Sequence, residues 1–251
     1  MISLSIIGTG NVAFHLAKAF NNAQHLNLQF VAGRNYDHLA LFNQFASTTT
    51  SIEKTQQSDV IIIAVSDDAI IEVSQQLSPE SSLIVHTSGS TEMKILSNHN
   101  RYGVFYPLQS FSKLKYLDYS KIPFLIEAKL KDDFAILNTL GNCLNAKTYA
   151  INSAERAALH LAAVFSNNFS NHILTEAKSL CKENKVAFEL LKPLMEETIK
   201  KAFELGPENS QTGPAKRGDT ITLKKQLENL KTTSQKNIYT TLTKAIQKSY
   251  E

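Results

Sequence analysis

Gly8-Thr9-Gly10-Asn11-Val12-Ala13 follows a β-rich run at residues 4–7. It opens a segment in which Val12, Leu16, Ala19 and Phe20 recur at nearly helical spacing. Strand, glycine loop and helix in that order form the G-x-G-x-x-G/A fingerprint of a dinucleotide site. Gly8 permits the tight turn, and Gly10 lets the backbone approach a pyrophosphate that a Cβ would strike. Ala13 is small enough for close helix–strand packing. Thr9, Asn11 and Val12 complete the wrap around the anion, which the free N–H groups of the helix start favour.

Outward from the loop, Leu28-Gln29-Phe30-Val31-Ala32 reads as a second strand, and residues 36–46 as a second helix. The strand ends in Gly33-Arg34-Asn35, and no Asp or Glu occurs before Asp37. An NAD site wants a carboxylate there for the ribose 2′-hydroxyl. Arg34 can instead fork onto a 2′-phosphate, with Asn35 adding a neutral hydrogen bond, so NADP is the expected cofactor. The alternative is that Arg34 is a plain surface residue at a strand end.

Asp59-Val60-Ile61-Ile62-Ile63-Ala64-Val65 is a near-continuous apolar run, as in a parallel strand buried on both faces. A helix at residues 69–76, a strand at 82–86 and later strands at 104–106 and 123–126 continue the alternation. The expected fold is a doubly wound, Rossmann-type parallel sheet over residues 1–151. From Asn152-Ser153-Ala154-Glu155 onward the pattern is helical only, which predicts an all-α domain over 152–251. Its helices are expected at 153–185 (long, and bent), 187–205, 219–230 and 234 to the C-terminus, with Asp219 and Ser234 as caps.

Ligands bind outside the carboxyl ends of parallel strands, so Val65 and Ser66 should border the cofactor. Asp67 and Asp68 suit a helix cap better. His86-Thr87-Ser88-Gly89-Ser90 ends the next strand. There Ser88 can bind a substrate carbonyl or carboxylate, and His86 can give a proton, unless it is a buried ring bonded to backbone. Tyr106 and Gln109 flank Pro107, where ordinary loop packing is the preferred reading. His160, with Asn167 and Asn168 seven and eight residues on, places polar groups on an apolar helix. These are a proton donor with an orienting amide, or satisfied core groups. Arg217, in Thr212-Gly213-Pro214-Ala215-Lys216-Arg217-Gly218-Asp219, suits anion capture, although the run also reads as a helix connector.

The composition is that of a globular chain: 251 residues, 43% hydrophobic and 20% charged, with 9 Gly and 6 Pro. No apolar run approaches the ~20 residues of a membrane helix, and the first residues do not read as a signal peptide. Two cysteines without ligand spacing point to a reducing cytoplasm. Histidines 15, 25, 38, 86, 99, 160 and 172 show no metal-ligand spacing, so no metal site is expected. The net charge of +3 divides unevenly, with 11 Lys/Arg against 12 Asp/Glu up to residue 151 and 15 against 11 after it. A solvated helical face explains that excess better than nucleic-acid binding, since the lysines form no dense cluster.

Taken together, Gly8–Ala13, Ser58–Ile70, His86–Gly89, Pro107–Phe111, His160–Asn168 and Thr212–Asp219 resemble a known family. It comprises bacterial Rossmann-like proteins whose helical C-terminal part is a domain of unknown function. They are similar to pyrroline-5-carboxylate reductase, deazaflavin-dependent NADP oxidoreductase and the 6-phosphogluconate dehydrogenase-like group. The resemblance implies an NADP oxidoreductase with His160, Arg217 and Asp219 as cleft residues, and it names no substrate; the leading reading is hydride transfer between NADP(H) and a small carbonyl or imine. The resemblance also implies a homodimer through the helical domain. The family carries His before the Pro-Leu pair, where this chain has Tyr106. The catalytic candidates are His86, Ser88, His160, Asn168 and Arg217. The other class of function is an NADP-binding sensor without turnover.

Overall fold

The computed structural model of the chain describes residues 1–78 and 82–250; residues 79–81 and 251, which the two expected domains include, lie outside it. Eight strands form one sheet: β1 (Ile2–Ile7), β2 (Leu26–Ala32), β3 (Ser47–Thr49), β4 (Val60–Ile63), β5 (Leu83–His86), β6 (Tyr102–Pro107), β7 (Pro123–Ala128) and β8 (Lys147–Ala150). Their spatial order is β3-β2-β1-β4-β5-β6-β7-β8. The chain therefore winds one way from β1 to β3 and returns to the other side of β1 with β4. That reversal opens a crevice at the carboxyl ends of β1 and β4, the usual ligand position in such sheets.

The apolar runs explain the strands. Along β4, Val60 and Ile62 enter one core while Ile61 and Ile63 enter the other, and all four are fully buried. Helix α1 (Asn11–Asn22) lays Ala13, Leu16, Ala17 and Phe20 on the first core with no residual exposure. Helices α2 (Tyr36–Ala40), α3 (Ile70–Gln75) and α4 (Lys131–Cys143) complete the α/β part. The expected helix over 36–46 stops at Ala40, and six residues separate it from β3.

The sheet is parallel except between β6 and β7, which pair antiparallel. A parallel partner needs a crossover, usually a helix. Between these two strands there is only a short 3-10 turn, Tyr119–Lys121, so the chain doubles back.

Two compact units are present, Met1–Asn167 and Asn168–Glu251. The last strand ends at Ala150, and α5 (Ser153–Ala163) follows with a capping box between Asn152 and Glu155. The first unit extends past the change of pattern at 151/152 because α5 is tied to the sheet. Arg156, fully buried, gives Nη1–H to Glu127 Oε2 on β7 at 2.6 Å and Nη2–H to the Thr91 carbonyl at 2.6 Å.

A π-helical turn, Val164–Phe169, follows α5. The second unit carries α6 (Ser170–Glu183), α7 (Lys192–Leu205), the short α8 (Pro207–Ser210) and α9 (Pro214–Arg217), α10 (Thr220–Asn229) and α11 (Thr233–Tyr250). Asp219 caps α10 through the Thr222 N–H, as expected. At the start of α11 the cap is Thr232 rather than Ser234: its hydroxyl accepts from the Gln235 N–H. No helix among the described residues is long and apolar enough to cross a membrane.

Candidate nucleotide and proton-transfer site

A cavity of about 740 Å³ in the first unit opens over the carboxyl ends of β1 and β4. Gly8, Thr9, Gly10, Asn11 and Val12 form one wall, and Arg34, Val65 and Ser66 also line it. Gly8 has φ +132°, and a Cβ there would overlap the Ala64 carbonyl, so no other residue fits. Gly10 faces open space, with nothing within 4 Å of the position a Cβ would take. Helix α1 has no side-chain cap and no acidic residue in its first turn. Its N–H groups are left to an anion, and a nucleotide diphosphate fits this start of the helix.

The glycine loop is braced from behind by the segment that follows β6. Asn11 donates to the Phe111 carbonyl at 2.9 Å, and Lys113 reaches the Thr9 carbonyl at 3.2 Å. His15 Nε2 lies 2.8 Å from the Ser112 carbonyl, and the Tyr119 hydroxyl donates to the His15 carbonyl at 2.7 Å.

Several expected site residues are used differently. Asn35 does not line the cavity; its side-chain oxygen caps α2, accepting from Asp37 and His38 N–H. His86 is fully buried and is not among the cavity's lining residues. Strand alternation puts its side chain on the face of Ile84, in the second core. Its Nδ1 accepts from the Ser88 N–H at 3.1 Å. Burial first, and then the Arg156 charge, push its pKa down to about 4. At neutral pH His86 is an uncharged ring in the core and no proton donor to a ligand. Ser88 reaches the cavity wall, but its hydroxyl is spent on its own loop. It donates to Thr91 Oγ1 at 2.9 Å and accepts from the Ser90 and Thr91 N–H groups. Asp67 is no helix cap: its carboxylate takes the Ser90 hydroxyl at 2.5 Å. Asn168 and Arg217 belong to the second unit.

His160 does line the cavity, and its partner is Tyr106. Tyr106 Oη and His160 Nδ1 are 3.0 Å apart, with the rings edge to face at 5.9 Å. Tyr106 stands near the end of β6. His160 lies one helical turn beyond Arg156 on α5, so the buried guanidinium that ties α5 to β7 also presents His160. Gly89 closes the arrangement. A Cβ there would lie 2.5 Å from His160 Nδ1 and 2.8 Å from Tyr106 Cζ. Burial, and then the Asp67 carboxylate, raise the Tyr106 pKa above its ordinary value, and Arg156 opposes them. The phenol therefore stays protonated at neutral pH. Sequence reasoning favoured loop packing for Tyr106. The usable signal was its position at the carboxyl edge of a strand, beside the residues after β5.

Residues 3–89 match the family model described as NADP oxidoreductase, coenzyme F420-dependent. Residues 122–246 match a domain of unknown function, DUF2520. The solved structure of a provisionally assigned NADP oxidoreductase from Bacteroides fragilis is 34% identical, with 98% of each chain covered and a TM-score of 0.91. An imine reductase from Pseudomonas sp. is 18% identical over 99% of this chain and 94% of its own, with a TM-score of 0.73. Pyrroline carboxylate reductase from Plasmodium falciparum, solved with NADP bound, is 18% identical over 99% and 97%, with a TM-score of 0.65. These last two share the fold. No curated protein matches the chain.

Proposed function

The chain belongs to the NADP oxidoreductases that join a coenzyme-F420-dependent-type nucleotide domain to a DUF2520 domain, and from that premise we propose the reaction it runs. It transfers a hydride between the nicotinamide of NADP(H) and a small carbonyl or imine compound. One observation carries this reading: a single cavity runs from the glycine loop and Arg34 to the Tyr106–His160 pair. In the proposal Gly8, Thr9, Gly10, Asn11 and Val12 hold the diphosphate, Arg34 takes the 2′-phosphate, and Val65 and Ser66 border the ribose. Tyr106 and His160 face the substrate, and Ser88 keeps its loop in shape. His86 and Asn35 have no role in it.

The proposal includes a homodimer formed through the helical region 152–251. Its support is apolar surface on α6 and α7: Ile173, Leu174, Leu194, Ile199 and Phe203 are 38% to 88% exposed. Water-facing apolar side chains in such number mark a contact surface. The two free cysteines, Cys143 and Cys181, fit a reducing compartment such as the cytoplasm.

Calorimetric titration with NADPH and NADH, beside Arg34→Ala, tests the reading. Loss of a charged hydrogen bond on an exposed arginine should weaken NADPH about tenfold and leave NADH unchanged. Failure of the wild type to bind either nucleotide overturns the proposal. Tight binding without turnover of any carbonyl or imine would return the chain to the sensor class.

A further inference from the structure

Resting on the oxidoreductase reading, we propose that Tyr106 is the proton donor of the reaction and that His160 is its positioning residue, through an Nδ1–H that donates to the tyrosine oxygen. The two atoms are 3.0 Å apart, and both side chains line the nucleotide cavity. Each side chain is half-buried, so the pair is neither solvated surface nor sealed core.

The proposed role needs the bond in one direction, with His160 Nδ1–H as donor and the tyrosine oxygen as acceptor. A phenol that spends its proton on imidazole has none to give to a ligand. A phenol that accepts from Nδ1–H keeps its own O–H free to turn into the cavity. His160 can take the Nδ1–H tautomer because one ring nitrogen of a neutral imidazole always carries the proton. The environment keeps the donor loaded: burial and the Asp67 carboxylate both hold the phenol in its protonated form. Gly89 makes this spacing possible, since a Cβ there would lie 2.5 Å from His160 Nδ1 and 2.8 Å from Tyr106 Cζ.

The step balances as follows. NADPH, when bound, supplies the hydride that forms the new C–H bond and leaves as NADP⁺. The Tyr106 Oη–H bond breaks, and its proton goes to the carbonyl oxygen or imine nitrogen of the substrate. The Nδ1–H of His160 stabilises the phenolate left behind, which regains a proton from water after product leaves. His86 takes no part, since its ring is directed into the core.

The test compares Tyr106→Phe, His160→Asn and His160→Asp in the full chain. NADPH affinity is measured by calorimetry, NADPH consumption with 1-pyrroline and with benzaldehyde, and imidazole tautomers by ¹⁵N NMR. The side-chain amide of Asn places an N–H where Nδ1–H stands, whereas the carboxylate of Asp can only accept. Tyr106→Phe should bind NADPH within about threefold of wild type and lose at least about 100-fold in turnover, the lower range for general acid catalysis. His160→Asn should keep turnover within about tenfold, and His160→Asp should fall as far as Tyr106→Phe. The spectrum should show His160 protonated at Nδ1, with a resonance that moves in Tyr106→Phe. Turnover retained in Tyr106→Phe, equal activity of the Asn and Asp variants, or a proton at Nε2 alone would each overturn the proposal. So would a wild type that binds NADPH and turns over neither probe, which leaves the cofactor site standing. Absence of NADPH binding would instead bring down the oxidoreductase reading beneath it.

Discussion

Replacing Gly89 by alanine adds one carbon at the tightest point of the proton-transfer site. That carbon would stand 2.5 Å from His160 Nδ1, 2.7 Å from its Cγ and 2.8 Å from Tyr106 Cζ. Relaxed carbon contacts start near ~3.5 Å, so each ring must retreat by roughly 0.7–1 Å. The retreat acts on the atoms that make or flank the 3.0 Å hydrogen bond, and a bond of that length does not survive such a displacement. The backbone at Gly89 itself accepts a side chain, since its φ is not in the left-handed region. Restricting the unfolded chain would then add about 0.4–1 kcal/mol of stability. Overpacking costs about 1–3 kcal/mol, and the lost hydrogen bond about 1 kcal/mol more. The net expectation is a loss of about 1–3 kcal/mol, or a Tm lower by several degrees at about 2–4 °C per kcal/mol. Turnover should fall about 100-fold, while affinity for 2′,5′-ADP, a probe of the adenosine end alone, stays within about threefold. Urea denaturation, calorimetry and NADPH consumption read the three quantities. A triple variant with His160→Ala and Tyr106→Ala sharpens the test: with both rings gone, most of the stability cost of Gly89→Ala should disappear. Unchanged stability and turnover in Gly89→Ala, or a cost that persists without both rings, would refute the crowding argument.

Glu127→Ala should cost about 3–5 kcal/mol in urea denaturation, because it strands the fully buried Arg156 without its carboxylate; Glu127→Gln should cost less. Gly8→Ala should abolish nucleotide binding and lower the Tm sharply, since the new Cβ meets a backbone carbonyl that cannot move aside; unaltered NADPH affinity would show the loop to be differently shaped. His86 gives a pH dependence. Its folded pKa of about 4 lies below the unfolded value near ~6.5, so the unfolded chain binds the extra proton between those values, and stability falls as pH drops through that window. The loss should approach about 3 kcal/mol near pH 4, and His86→Leu should lack this component in denaturation curves compared at pH 7.5 and 4.5.

Elements written by local pattern were legible in the sequence. The glycine loop, the two-faced run of β4, the capping box at Asn152 and the Asp219 cap each state their role within a few residues. What escaped was short or polar: β3 and β8 have three and four residues and sit at the edges, where no apolar run is required. The antiparallel return of β7 was hidden because strand pattern alone does not give direction. In the site, the errors came from long-range facts. Tyr106 meets its partner across 54 residues, through a helix anchored by a guanidinium that reads as an ordinary arginine. His86 could have been placed better, since alternation from Ile84 already points it to the core. Ser88 and Asn35 are polar groups that their own loops consume, a competition that composition does not reveal.

The brace behind the glycine loop bears on where this protein can be cut. Asn11, His15 and the Thr9 carbonyl are held by Phe111, Ser112, Lys113 and Tyr119, about a hundred residues downstream. A fragment ending at residue 89, where the nucleotide-domain match stops, would carry the whole fingerprint and none of its fastening. Its loop would have to be ordered by the nucleotide at the moment of binding, with affinity reduced accordingly. Translation imposes the same order on the growing chain: the nucleotide cradle is complete only after the sheet has passed β6 and begun to turn back. The transplantable part of this protein is therefore longer than its motif.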